Sequence, residues 1–146
     1  MGLIEERVRL ARSAANDRVV CRLASGWVVL GDVQFLEGYS LLLPDPVVPS
    51  LNHLSDEGRS AFLGDMARLG DAILAVTGAE RVNYEILGNT EPELHAHVFP
   101  RYASEPEDLR LLPAWFYDWD AAPPFDPIAH AGLRDALRGA LLAARE

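Results

Sequence analysis

The sequence is short of cysteine, of positive charge and of long apolar runs, and each shortage closes off a class of protein. Cys21 is the single cysteine among 146 residues, so no intrachain disulfide can staple the fold. Its neighbours Val20, Arg22 and Leu23 read as ordinary strand, which makes it a buried strand residue and not a reactive thiol. Thirteen basic residues stand against 22 acidic ones, for a formal net charge of −9. A nucleic-acid polymer needs a basic stripe, and this balance offers none. Net charge acts at long range, so it leaves room for a mononucleotide, whose phosphate a few backbone N–H groups and one or two histidines can hold. No stretch approaches the roughly 18 consecutive apolar residues of a spanning helix, so no membrane partner is expected. The opening Met1-Gly2-Leu3-Ile4-Glu5-Glu6-Arg7 has an acidic pair where a signal peptide has basic residues, and the expected address is the cytoplasm.

A chain of this length buries about two thirds of its unfolded surface in one core, so a single domain over residues 1–146 is expected. Ile4, Val8, Ala11 and Ala15 put one apolar stripe on a first helix from residue 3 to about 15, stopped by Asn16-Asp17. The runs 19–23 and 27–30 flank Ser25-Gly26 and predict a hairpin whose glycine takes a positive φ. A strand over 39–43 runs into Pro44, and Pro44, Pro46 and Pro49 forbid regular pairing beyond it. Ser55 as N-cap, followed by Asp56 and Glu57, opens the clearest helix. Its apolar positions Phe62, Met66, Leu69, Ile73 and Val76 keep one face as far as Gly78. Residues 81–87 and 93–99 read as a second hairpin around the turn 88–92. A Pro- and Trp-rich flap covers 112–119, and Asp126-Pro127 opens a last helix with Leu133, Leu137 and Leu141 along one side. Tight hairpins without βαβ crossovers make this an α+β fold, an antiparallel β-sheet with packed helices.

The chemistry sits in the second hairpin. Residues two apart on a strand share a face, so Glu93, His95 and His97 are expected to project together. An isolated His-x-His is most simply a polar, solvent-facing strand side. The neighbourhood adds to it: the turn Gly88-Asn89-Thr90 can present N–H groups to an anion, and Pro100-Arg101 follows.

The segments Asn83-Tyr84-Glu85-Ile86-Leu87-Gly88-Asn89-Thr90 and Pro92-Glu93-Leu94-His95-Ala96-His97-Val98-Phe99-Pro100-Arg101-Tyr102 resemble the signature of the histidine triad (HIT) superfamily. That signature alternates three histidines with apolar residues and often ends in Pro-Arg. The resemblance covers about residues 18–102, more weakly upstream through Leu30-Gly31-Asp32-Val33-Gln34-Phe35. It implies a nucleotide-phosphate hydrolase or nucleotidyl transferase acting on dinucleoside polyphosphates or nucleoside phosphoramidates. His95 takes the middle position, that of the nucleophile, and His97 the third, which stabilises charge on phosphate. Asn89 and Thr90 match positions that contact phosphate or leaving group and Asn83 one that holds backbone or ribose; Arg101 could contact phosphate, whereas Pro-Arg in the family is largely a structural stop. Glu93 replaces the first histidine, and its backbone carbonyl would fix the His95 tautomer whatever its side chain. Val47 stands near where the family carries a further histidine. The resemblance implies a homodimer and no required cofactor, although some relatives take a magnesium-bound substrate.

The residues leave two other functions open. Glu93 and Val47 also suit a nucleotide-binding protein that has lost catalysis, and Glu93, His95 and His97 form two imidazoles and a carboxylate, a credible metal set that lacks a fourth ligand. His53 reads as a surface residue, His130 as a polar position on the last helix, and Trp115 and Trp119 as packing residues able to stack on a base.

Overall fold

The computed structural model describes residues 1–143. Helix α1 (Leu3–Arg12) buries Ile4, Val8 and Ala11 and carries Glu5 and Glu6 in its first turn, where the helix dipole favours them. It ends three residues before the expected Ala15. Ala14 adopts φ 58°, and the Ala15 and Ala14 N–H groups bond back to the Leu10 and Ala11 carbonyls, a Schellman ending made without glycine.

Strands β1 (Val19–Arg22) and β2 (Gly26–Leu30) form the first hairpin. Gly26 does not take the positive φ expected of it; glycine serves there because a Cβ would run into the Leu43 carbonyl of the neighbouring strand. Strand β3 (Ser40–Pro44) lies beside β2. The long helix α2 (Asp56–Val76) follows, with the Ser55 hydroxyl accepting from the Gly58 N–H at 3.0 Å, as the N-cap pattern predicts. Strands β4 (Arg81–Glu85) and β5 (Ala96–Arg101) complete one antiparallel sheet in the order β1-β2-β3-β5-β4. A short helix α3 (Glu107–Arg110), a 3-10 turn (Ala114–Phe116) and helix α4 (Ala131–Ala143) close the described chain.

The last helix begins at Ala131, later than Asp126-Pro127 suggested. The Asp126 carboxylate instead accepts from the Ile128 and Ala129 N–H groups, and the Asp126 N–H donates to His130 Nδ1 at 2.8 Å, so a capped turn precedes the helix. His130 therefore lies in that turn and not on the helix.

The pleat of β5 sorts its side chains. Ala96 and Val98 face Phe62, Leu69 and Ile73 of α2 and Leu137 and Leu141 of α4, which form the main core. Phe99 faces the other way, into a second cluster with Leu36, Tyr39 and Ala114, while α1 packs Ile4 and Val8 against Val29 and Leu43. His97 shares the Phe99 side by the two-residue period. The architecture is the expected α+β arrangement. Among the described residues no helix is long and apolar enough to cross a membrane.

Candidate active site

Strand β5 starts at Ala96, three residues later than the sequence pattern suggested, because 91–95 is a bend and not ladder. The Leu94 N–H bonds across to the Val48 carbonyl at 2.9 Å, which ties this bend to the segment after β3. His95 and His97 are only 7% and 8% exposed. Their rings stand edge to face with centroids 4.9 Å apart.

Each imidazole is fixed through Nδ1. His95 Nδ1 lies 2.7 Å from the Glu93 carbonyl. A carbonyl only accepts, so Nδ1 carries the proton and, in the neutral ring, Nε2 keeps its lone pair. His97 Nδ1 lies 2.7 Å from the Tyr39 hydroxyl. Tyr39 is buried, and burial pushes its phenol well above the usual range, so it stays protonated. Its proton has His97 Nδ1 as acceptor, which places the His97 proton on Nε2. Burial, followed by the neighbouring His95, lowers the His97 pKa from its ordinary 6.5 to about 4. When both rings are neutral the pair thus offers one lone pair and one N–H donor, the division of labour that attack at an oxyanionic centre requires.

Because the folded His97 resists protonation, the unfolded chain binds more protons between pH 6.5 and 4. Stability is therefore full above about pH 6.5 and falls as the pH drops through that window. Urea midpoints measured from pH 8 to 4 should decline more in the wild type than in His97→Gln, which has no proton to gain. Parallel curves would contradict the assignment.

Two cavities meet at His95. One, of about 340 Å³, is mainly apolar and is lined by Ile4, Leu41, Trp119 and both histidines, with Arg7 and Asp32 also in its wall. The other, of about 230 Å³, is lined by Ser50, Asn52, Gly88, Glu93 and His95. Trp115 stands edge-on to His97 at 5.0 Å, stacks on Trp119 at 4.6 Å and donates its indole N–H to Glu85. The two tryptophans pack on Phe99, so the aromatic flap roofs the histidine face.

Neither a protein-family model nor a curated protein matches the sequence. The shape does have matches. A histidine triad protein from Marinobacter aquaeolei superposes with a TM-score of 0.75 at 20% identity, over 98% of each chain. One from Bradyrhizobium japonicum gives 0.72 at 20% identity over 88% of this chain and 95% of its own. A hypothetical histidine triad nucleotide-binding protein from Sulfolobus tokodaii gives 0.74 at 11% identity over 96% and 93%. The fold is that of the histidine triad proteins.

The Glu93 side chain does not extend the histidine row. Its carboxylate reaches the start of α1, where it accepts from the Glu5 N–H at 3.4 Å, and a Cβ on Gly2 would collide with it. The expectation that Glu93, His95 and His97 project together is corrected accordingly, and the metal set built on it loses its carboxylate. Among the described residues no three His, Cys, Asp or Glu side chains are grouped to hold a metal ion. If Glu93 acts through its carbonyl, Glu93→Ala should keep turnover within about tenfold of wild type. The variant should lose about 0.5–1 kcal/mol of stability from the uncapped helix, as a denaturation curve beside a rate assay would show.

Other candidates lie elsewhere. Asn89 and Thr90 sit exposed in the bend after β4, and neither lines the two cavities at His95. Asn83 and Arg101 bond to each other at 2.9 Å. Arg101 also donates to Glu105 and to the Leu109, Arg110 and Leu112 carbonyls, which commits all five of its N–H groups and leaves none for phosphate. Of the two expectations for Arg101, this placement fits the structural one and not the phosphate contact: Arg101 is a clamp on the chain after β5. Val47 packs against the α1 cluster, and exposed His53 bonds Ser50. Tyr39, Glu85, Arg7 and Asp32 carried no assigned role in the sequence reading; for Tyr39 the available signal was a polar-tipped ring at the head of an apolar strand.

Proposed function

We propose that the chain is a nucleotide-phosphate hydrolase or nucleotidyl transferase in which His95 attacks phosphorus. The observation that carries this reading is the 2.7 Å bond from His95 Nδ1 to the Glu93 carbonyl, which leaves Nε2 as the nucleophile in a wall shared by two cavities. The apolar cavity takes the nucleoside. Nε2 forms a bond to phosphorus as the bond to the leaving group breaks, and the His97 Nε2–H donates to a phosphoryl oxygen. Water or another acceptor then attacks the nucleotidyl-histidine and restores the free ring. This route needs no resident metal; magnesium, where it takes part, arrives bound to substrate phosphates. The reading carries a homodimer with it, and β4, an outer strand that carries the exposed Tyr84, is an edge that a second copy could use.

The test is a quenched incubation with adenosine 5′-phosphoramidate or a dinucleoside polyphosphate, followed by peptide mass spectrometry. A nucleotidyl adduct on His95 is expected. Tight nucleotide binding with no adduct, unaffected by His95→Ala, would overturn the enzyme in favour of a binding protein.

A further inference from the structure

Tyr39 is buried in an aromatic cluster where a phenylalanine ring would make the same stacking contacts. Its ring lies on Phe99 at 4.3 Å and meets Trp119 edge-on at 5.8 Å, and neither contact uses the hydroxyl. A buried hydroxyl is costly unless it is bonded, and among the described residues the Tyr39 hydroxyl has one partner, His97 Nδ1 at 2.7 Å. The dependence is mutual. The other rings against His97 are Phe99, stacked at 5.9 Å, and Trp115, whose indole N–H is committed to Glu85. The Tyr39 hydroxyl is therefore the group that satisfies His97 Nδ1.

The chain before Tyr39 is built to hold that hydroxyl in place. Buried Gln34 donates both amide hydrogens, to the Gly31 carbonyl at 3.1 Å and to the Tyr39 carbonyl at 2.9 Å, and its amide oxygen accepts from the Gly38 N–H at 2.9 Å. One side chain thus ties the two ends of the loop 31–39 together. The Tyr39 carbonyl also accepts from the Gly31 N–H at 2.8 Å, and Gly38 takes φ 106°, a conformation that favours glycine. A Cβ at Gly31 would collide with the Tyr39 ring, so glycine leaves the space that the ring fills.

We propose that Tyr39 is a positioning residue for the transfer reaction: its hydroxyl, held by the Gln34 loop, fixes the His97 ring and keeps its proton on Nε2, the atom that donates to the phosphoryl oxygen. The proposal rests on the reading of His95 as nucleophile and His97 as donor. Tyr39 also lines the apolar cavity beside both histidines, so its ring walls the nucleoside while its hydroxyl orients the donor. The two roles separate in Tyr39→Phe, which keeps the ring and removes only the oxygen.

The test joins NMR of isotope-labelled imidazole rings to kinetics, both on the full chain. In the wild type at alkaline pH, without substrate, His97 is expected to be protonated on Nε2 and His95 on Nδ1, with His97→Ala and His95→Ala identifying the signals. In Tyr39→Phe the His97 nitrogens should move towards an averaged tautomer while those of His95 stay in place. With adenosine 5′-phosphoramidate, Tyr39→Phe should lower kcat about tenfold, the scale of a misplaced catalytic group, and leave KM within about twofold. Because Tyr39 acts through His97, adding Tyr39→Phe to His97→Ala should cost no more than about a further twofold. A wild-type His97 protonated on Nδ1, a Tyr39→Phe kcat within about twofold of wild type, or a loss that recurs in full on the His97→Ala background would each overturn the proposal and leave the His95 adduct intact. A rise in KM with kcat unchanged would overturn it too and assign Tyr39 to the nucleoside wall alone. If the wild type forms no adduct, the nucleophile reading falls, and the role of Tyr39 in turnover falls with it.

Discussion

Replacing His95 by alanine is expected to lower turnover by about 10⁴-fold or more, because covalent attack then has no nucleophile and only binding and charge stabilisation remain. The variant should fold. His95 precedes β5, the backbone bond from Leu94 to Val48 does not involve its side chain, and among the described residues its one side-chain hydrogen-bond partner is the Glu93 carbonyl, which solvent can satisfy once the ring is gone. Nucleotide affinity should change little, since the apolar cavity keeps Ile4, Leu41 and Trp119. His97→Ala provides the contrast. It removes a donor to the developing charge and not the attacking atom, so about 10²- to 10³-fold is expected, with adduct still detectable on His95. Single-turnover assays with quenched mass spectrometry separate the two. A His95→Ala protein that turns over like the wild type would end the mechanism.

The sequence located the histidine pair well and its supporting contacts poorly, and the difference is one of range. His95 and His97 stand in a local alternation of apolar and polar residues, so the pair could be read along the chain, while the Glu93 carbonyl as tautomer-setting acceptor came from the family resemblance. Tyr39 reaches His97 across 58 residues and Arg7 reaches Asp32 across 25, and no periodicity reports such contacts. The Glu93 side chain was misplaced for a related reason. Alternation suggested a strand from residue 93, but Leu94 spends its N–H on Val48 instead of on a ladder partner, and the backbone turns before the pleat begins. Gly26 shows the same limit: a glycine between two strands looks like a turn residue, whereas its actual constraint is the approach of the Leu43 carbonyl from another strand. The amphipathic helices and the antiparallel sheet were legible because their spacing is local and their burial periodic.

Arg101 carries the largest expected effect on folding. Its guanidinium is 8% exposed, the Glu105 carboxylate 4%, and the two meet at 2.9 Å. Burial alone would raise the Glu105 pKa. Bonds from Arg101, Tyr117 and the Tyr102 N–H outweigh it, so the carboxyl lies below its ordinary 4.5 and is charged at neutral pH. Arg101→Met would strand that charge and also free the Asn83 carbonyl and three backbone carbonyls. Breaking one side of a buried pair costs about 3–5 kcal/mol, a large part of the about 5–15 kcal/mol that holds a domain together. Arg101→Lys should recover little, because a single ammonium cannot span acceptors arranged around a planar fork. Adding Glu105→Gln to Arg101→Met removes the stranded charge and should restore part of the loss, which a double-mutant cycle in urea would measure. The effect reaches the site through the chain, since Arg101 holds residues 105–112 and the next segment carries Trp115 against His97. A variant that folds with the flap loosened should show Trp115 more exposed to a fluorescence quencher and a lower rate with the His95 adduct still formed, which places Arg101 behind the chemistry as the residue that keeps the roof on it.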